Sequence, residues 1–285
     1  MLSEFMLQQT QVKTVIPYFN NFVKKIPNLK ALSKINEKKI LKLWEGLGYY
    51  NRARNLHKSS KILIKKYQGQ IPNDFAKLKE LPGIGDYTAN ILLALIHNQP
   101  RIALDGNVKR VLSRIFNIYP KEPFNLFKTK RNADLAEALM EFGALVCKPQ
   151  DPTCKECKIK NNCSYYMLGT KIKSKKNIKV HLKSYDIFCY LKKNKKQIAL
   201  TKNNNLSFLK KFNLPKVKEA SKKNKNWNFL CNYKNSISNK KLNINLYYKF
   251  SSKIPSKYNW YYLNGNNEFI PSFTKKIFKQ ISNLY

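Results

Sequence analysis

The first half of the chain places apolar residues at three- and four-residue intervals, the rhythm of helices that bury one face. The second half changes to alternation, the rhythm of half-buried strands. Residues 3–25 carry Leu7, Val12, Val15, Ile16, Phe19, Phe22 and Val23 at near-helical spacing, with Pro17 as a start or a break. A second helix is predicted over 36–47, with Ile40, Leu41, Leu43, Trp44 and Leu47 on its apolar face; Gly46, Gly48 and the pair Tyr49–Tyr50 interrupt it. A third runs from Ala53 to Lys66 and ends before Gly69 and Pro72. Phe75, Leu78 and Leu81 mark a short helix and Pro82-Gly83-Ile84-Gly85 a tight turn, after which Asp86 caps a helix through Ala89, Leu92, Leu93 and Ile96. The loop Leu104-Asp105-Gly106-Asn107 opens a helix through Val108, Val111, Leu112 and Ile115. A last long helix over 133–146 sets Leu135, Leu139, Phe142 and Val146 on one face and leads directly into Cys147.

Residues 169–184 are polar and Lys-rich and read as a linker. Beyond them Tyr185, Ile187, Cys189 and Leu191 alternate with other residues, and Ile198-Ala199-Leu200 follows a turn as a hairpin partner. Leu242, Ile244, Leu246, Tyr248 and Phe250 alternate again, and a closing helix from Pro271 shows Phe273, Ile277, Ile281 and Leu284. The Asn- and Lys-rich stretch 201–236 carries no pattern from which elements can be placed. The pattern predicts an all-α domain followed by a smaller α+β domain, with no internal repeat.

A chain of 285 residues is long enough for two cores. Its net charge of +39 is divided unevenly: residues 1–170 hold 28 basic and 13 acidic residues, residues 171–285 hold 27 and 3. Such a surface favours polyanions, nucleic acid above all. The sequence is Lys- and Asn-heavy throughout, so the charge also reads as a compositional bias and carries no specificity. No apolar run approaches a membrane span, and the first residues lack the basic and apolar regions of a signal peptide. A protein of a reducing compartment, without a membrane, is expected.

Two constellations carry chemistry. A helix–Pro-Gly-Ile-Gly–helix unit lets backbone N–H groups at Gly83 and Gly85 approach an anion at a helix start, which suits a DNA phosphate; the bland reading is an ordinary turn between helices. Cys147, Cys154, Cys157 and Cys163 have the spacing C-x6-C-x2-C-x5-C, which can hold an iron–sulfur cluster or a tetrahedral zinc. Zinc patterns commonly pair two C-x2-C knuckles and only one exists here, which favours the cluster. Asp105, taken alone, reads as a helix N-cap. Cys189 and Cys231 have no partner pattern and read as small apolar core residues.

Leu2-Ser3-Glu4-Phe5-Met6-Leu7-Gln8-Gln9-Thr10-Gln11-Val12, Gly46-Leu47-Gly48-Tyr49-Tyr50, Leu81-Pro82-Gly83-Ile84-Gly85, Leu104-Asp105-Gly106-Asn107-Val108-Lys109-Arg110-Val111 and the four-cysteine loop occur in this order. Together they resemble the MutY-type adenine DNA glycosylases of the endonuclease III-like superfamily. The resemblance implies a helix-hairpin-helix glycosylase domain over 1–168 with a [4Fe-4S] loop at 147–163, a linker over 169–184 and a Nudix-like domain over 185–285. It implies excision of adenine mispaired with 8-oxoguanine or guanine in double-stranded DNA, by a monomer acting on nucleoid DNA in the cytoplasm. Glu4 then matches the acid that protonates the adenine and activates water, and Asp105 the carboxylate that answers positive charge on the sugar. Asn107 matches a polar residue supporting that site. Gln9 and Tyr49 match residues that wedge into the base stack beside the flipped nucleotide. Two carboxylates with opposite protonation suit this cleavage.

Glycosylase-lyases of the superfamily carry a Schiff-base lysine two residues after the second hairpin glycine, where this chain has Tyr87. The resemblance therefore implies a monofunctional enzyme and disfavours a pyrimidine-damage glycosylase of the endonuclease III type; the bland reading of Tyr87 is a packed helix residue. In the second domain only Asp186, Glu219 and Glu268 are acidic, too few for a metal-dependent Nudix hydrolase. Ser238 is retained where the family carries a Phe-Ser-His recognition loop, while Ile237 and Asn239 depart from it. Glu4 also lacks the helical stretch that precedes it in the family, so either the start lies upstream or one pocket wall is missing. A frayed start would leave Glu4 solvated, without a raised pKa. These departures motivate an alternative: a catalytically silent DNA-binding scaffold.

Overall fold

The computed structural model describes residues 1–117, 129–169, 181–204, 206, 209, 212–220, 226–237, 240–265 and 269–285. They divide into two compact units, Met1–Leu43 with Tyr49–Lys175, and Trp44–Gly48 with Lys176–Tyr285.

The described part of the first unit is helical. It comprises α1 (Leu2–Leu7), α2 (Val12–Lys25), α3 (Leu29–Lys34), α4 (Glu37–Leu43), α5 (Asn51–Tyr67), α6 (Phe75–Lys79), α7 (Asp86–His97), α8 (Gly106–Phe116), α9 (Asn132–Leu145) and α10 (Ser164–Met167). Several starts follow from local chemistry. The side chains of Asn28, Asp74 and Asp105 accept the backbone N–H of Ala31, Lys77 and Val108 at 2.9, 2.8 and 2.6 Å, capping α3, α6 and α8. Helices α5, α7 and α8 end at Gln68, Asn98 and Asn117 in the left-handed conformation that closes a helix. Leu56, Leu63, Leu78, Ile91, Leu92 and Leu93 form the buried heart of the unit.

Three expectations are corrected. The helix over 3–25 is two helices, broken at residues 8–11, and Pro17 lies inside α2 rather than starting or breaking it. Asp86 does not cap α7; Gly85 holds that position, and Asp86 sits in the first turn, paired with Lys79. On α9 the core face runs through Ala136, Leu139, Met140 and Gly143. Phe142 and Val146 line the pocket of the four cysteines instead.

The second unit is a mixed sheet with a helix. Its strands are β1 (His181–Lys192), β2 (Gln197–Leu200), β3 (Lys216–Glu219), β4 (Asn228–Ile237), β5 (Lys240–Phe250) and β6 (Asn259–Tyr262), in the order β4-β5-β1-β2-β6 with β3 also on β1. β1 and β5 run parallel, Ile187 opposite Leu246, and every other pairing is antiparallel. β1 does not show the expected alternation: Tyr185 through Cys189 are all buried, as is Leu191, so both faces of the strand are covered. In β5 Leu242, Ile244 and Leu246 are buried and alternate with less buried residues. The closing helix α11 (Ser272–Ile281) buries Phe273, Ile277, Phe278 and Ile281. It is tied down by Thr274, whose hydroxyl donates to the Asn213 carbonyl at 2.9 Å, and by Lys276, which donates to Asn235 at 3.0 Å. β1 begins at His181, inside the stretch expected as linker.

Candidate active site

A six-residue helix is too short to persist alone, so α1 needs tertiary support. Phe5 and Met6 are fully buried on one side of it. At its end the buried guanidinium of Arg52, on α5, donates from Nη1 to the carbonyls of Phe5, Met6 and Gln8 at 3.0, 2.6 and 2.6 Å, and from Nη2 to Thr10 Oγ1 at 3.0 Å. These carbonyls are the acceptors a helix end leaves without partners. The Arg52 side chain loses hydration in return, and burial lowers its pKa to about 10. Gln8 Nε2 donates to the Gly83 carbonyl at 3.3 Å and to Thr88 Oγ1 at 3.4 Å, joining α1 to the hairpin.

This support fixes Glu4. Burial raises its pKa; the Met1 amino group opposes the shift and the carboxylate of Glu137 on α9 adds to it. The expectation of a solvated Glu4 without a raised pKa is thus corrected: Arg52 and the buried pair Phe5–Met6 anchor the helix that a frayed start would have lost. Asp105 caps α8 through Val108 N–H, as its bland reading expects, and that bond fixes the direction of its carboxylate. Tyr87, on α7, is half-buried; its pKa is pushed up by burial and then by Glu4 and Asp105 together. Its hydroxyl donates to Met140 Sδ at 3.4 Å. The structure therefore gathers Glu4, Tyr87 and Asp105, widely spaced in sequence, into one site walled by α9.

Asn107 is held from two sides. Its Oδ1 accepts Arg110 Nη2 at 2.9 Å, and a Cβ on Gly143 would come within 2.7 Å of its own Cβ. Only glycine lets α9 approach the loop this closely. Arg110 also donates to the carbonyls of Gly143 at 2.6 Å and Cys147 at 2.8 Å, binding the Asp105–Asn107 loop to the end of α9.

In the hairpin, Gly83 has φ of +83°, and a Cβ there would lie 2.8 Å from Asn55 Cβ and Phe5 Cε1. Glycine is required on both counts. Gly85 is extended, so its backbone admits any residue, and a Cβ there would meet nothing within 4 Å. Gln9 and Tyr49 are both exposed, and both have left-handed backbones, at φ of 57° and 48°. For non-glycine residues this conformation costs of order 1–3 kcal/mol and gathers at functional positions. Arg52 bonds the residues on either side of Gln9, the Gln8 carbonyl and Thr10 Oγ1, and sits 5.3 Å from the Tyr49 ring centroid.

The four cysteines line one pocket together with Arg114, Phe142, Val146 and Tyr165. Arg114 donates to Cys147 Sγ at 3.3 Å and to the carbonyls of Lys148 and Pro149 at 2.6 and 3.1 Å, and stacks 4.8 Å from the Tyr165 centroid. Burial raises the Cys154 thiol pKa and the other three cysteines add to it, while Arg114 opposes them. Four thiols on the walls of an apolar pocket, with a guanidinium to balance thiolate charge, fit a cuboidal cluster bonded at its corners. Among the described residues no His, Cys, Asp or Glu group is drawn together tightly enough to hold a single metal ion.

In the sheet unit Asp186 is fully buried and accepts Asn245 Nδ2 at 2.8 Å, a structural arrangement. Ser238 lies outside the described residues, as do Asn239 and Glu268. Cys189 is buried as expected and Cys231 half-buried. No helix among the described residues is long and apolar enough to cross a membrane. Sequence reasoning missed Arg52, Arg110, Arg114, Glu137, Met140 and Gly143. The spacing of Glu137, Met140 and Gly143, three residues apart on one helix, was the only local signal of a shared face.

Residues 2–141 match the model of the HhH-GPD superfamily base excision DNA repair proteins. The adenine DNA glycosylase of Buchnera aphidicola subsp. Baizongia pistaciae is 37% identical over 292 residues, covering 93% of this chain and 83% of that protein. That of subsp. Acyrthosiphon pisum is 40% identical over 174 residues, 57% of this chain; there the match spans half the relative's length. A solved structure described as a non-covalent endonuclease III–DNA complex is 25% identical, with a TM-score of 0.49, over 58% of this chain and 81% of that one. The chain belongs to the MutY-type adenine DNA glycosylases, DNA-repair enzymes of the helix-hairpin-helix superfamily.

Proposed function

We propose that the helical unit is a monofunctional glycosylase that hydrolyses the N-glycosidic bond of adenine mispaired with 8-oxoguanine or guanine in double-stranded DNA. The observation that carries this reading is the single site formed by Glu4, Tyr87 and Asp105. The raised pKa of Glu4 lets it keep a proton for the departing adenine. Asp105, fixed by the N-terminal N–H of α8, faces the positive charge that develops on the sugar as the base leaves. Glu4, having given up its proton, then takes one from the attacking water. Tyr87 stands where a lyase would need an amine, and its raised pKa keeps it a neutral hydroxyl, so the reaction stops at the abasic site.

The hairpin N–H groups at Gly83 and Gly85 receive a backbone phosphate, the open approach at Gly85 leaving room for it. Gln9 and Tyr49, exposed and held by Arg52, fill the stack when the adenine leaves it. Cys147, Cys154, Cys157 and Cys163 would hold a [4Fe-4S] cluster, which would brace the lysine-bearing loop. The sheet unit, Nudix-like but without clustered carboxylates, reads the partner base, with Ser238 as its contact. Residues 1–168 and the sheet unit from His181 onward are the two functional domains.

The test is a single-turnover assay on duplex carrying adenine opposite 8-oxoguanine, scored with and without alkali. Abasic product that breaks only after alkali supports the reading. No product from protein that absorbs near 400 nm and binds the duplex would establish a silent scaffold instead.

A further inference from the structure

We propose that the sheet unit carries a phosphate-binding pocket beside the β2–β6 ladder. The pocket opens to solvent and has a volume of about 410 Å³, within the range of sites for small molecules. Its buried wall is built from two segments locked together: Thr201 N–H donates to the Leu214 carbonyl at 2.8 Å and Leu214 N–H to the Thr201 carbonyl at 3.0 Å. Next to that bridge lies Asn213. Its carbonyl is occupied by Thr274, but its side chain, 7% exposed, has no hydrogen bond among the described residues and lines the pocket. Its carboxamide is available to a ligand in the pocket.

The remaining lining is of one chemical kind. Lys202 and Asn203 stand on one segment, Lys257 and Asn259 on another, with Tyr261 beside them. Among the described residues no carboxylate lines the pocket and neither lysine has an ion-pair partner. Elsewhere in residues 171–285 acidic side chains number three, so little compensates this charge. Two ammonium groups and three carboxamides around one space ask for a ligand with several acceptor oxygens and full negative charge. A phosphate meets that demand, where a carboxylate offers too few oxygens. The phosphate comes from a nucleic-acid backbone or from a free nucleotide. The pocket does not depend on the glycosylase reading, because its binding is measured without turnover.

The experiment uses the full chain and the double variant Lys202→Ala/Lys257→Ala. The control Lys183→Ala/Lys195→Ala removes the same charge from exposed positions outside the pocket. Fluorescence anisotropy with labelled duplex over a KCl series is read beside calorimetric titration with pyrophosphate and dAMP. If the source is a DNA phosphate, the pocket variant loses about 1–2 units of salt slope and roughly tenfold in affinity beyond the control. If the source is a free nucleotide, the parent protein and the control bind pyrophosphate or dAMP and the pocket variant does not. A pocket variant indistinguishable from the control in both measurements overturns the proposal.

Discussion

The two units use cationic side chains in opposite ways. The helical unit holds all six arginines of the chain, and the three nearest the site are turned onto backbone carbonyls. Arg52 closes the end of α1, Arg110 ties the Asp105–Asn107 loop to α9, and Arg114 holds the start of the cysteine loop. A planar fork satisfies several carbonyls at fixed angles, which a flexible ammonium cannot. The sheet unit has no arginine. Its lysines coat a fold already determined by alternating apolar residues, and they serve as diffuse charge or, around Asn213, as a local anion trap. Precise placement of catalytic groups and attraction of a polyanion are thus assigned to different cations in different places.

The largest expected effects test whether chemistry is confined to the arginine-built unit. Glu4→Gln keeps shape and removes the proton donor, and Asp105→Asn keeps a good helix cap while removing the charge. Each should slow single-turnover excision by about 10²–10⁴-fold with little change in melting temperature. Asp186→Asn, at a buried carboxylate of the sheet unit, should lower the melting temperature and leave the rate of folded enzyme within about twofold. A large rate loss in Asp186→Asn alone would erase the contrast between the units.

Arg52→Lys comes next. One ammonium cannot reach three carbonyls and Thr10 at once, so stability should fall by about 2–4 kcal/mol in chemical denaturation. Excision should fall with it by roughly tenfold or more, since that guanidinium holds the segment from Phe5 to Thr10 that carries Glu4 and Gln9 and lies against Tyr49. A lysine variant with parental stability and rate would show that the burial of Phe5 and Met6 suffices to hold α1.

How much of this was legible in the sequence follows from how local each cause is. The start of α8 was readable because Asp105 caps within three residues of itself, and α6 because Phe75, Leu78 and Leu81 mark its apolar face; the cap of α7 was misplaced by one residue, onto Asp86. The break between α1 and α2 was not readable, because Arg52, more than forty residues away, holds it open. In the sheet unit the buried alternation of β5 was visible, whereas β1, read as alternating, is covered on both faces. β4 was hidden by a bulge between Phe229 and Cys231 that interrupts its period, and β3 by the lysines of its exposed face. The parallel pairing of β1 with β5 leaves no mark in either strand alone. Likewise Glu4 and Asp105 could be suspected one by one, but only the fold brings Tyr87 within electrostatic reach of both and Glu137 within reach of Glu4.

The smallest effect concerns the penalty the helical unit carries for its acid. Burial raises the pKa of Glu4, so folding favours its protonated form. That contribution is fully present below the ordinary glutamate value of 4.5 and is lost as pH rises through the raised value. Glu4 therefore weakens the fold at neutral and higher pH, where a charge is held in a partly desolvated place. Glu4→Gln should melt above the parent protein at about pH 8 and converge with it at about pH 4. The same proton governs catalysis, so the excision rate should decline as pH rises through the raised value. Glu137→Gln should move that decline to lower pH, since the neighbouring carboxylate adds to the shift. Melting curves of Glu4→Gln that track the parent at every pH would mean that Glu4 is solvated. The anchoring of α1 by Arg52 would then serve the fold without tuning the acid.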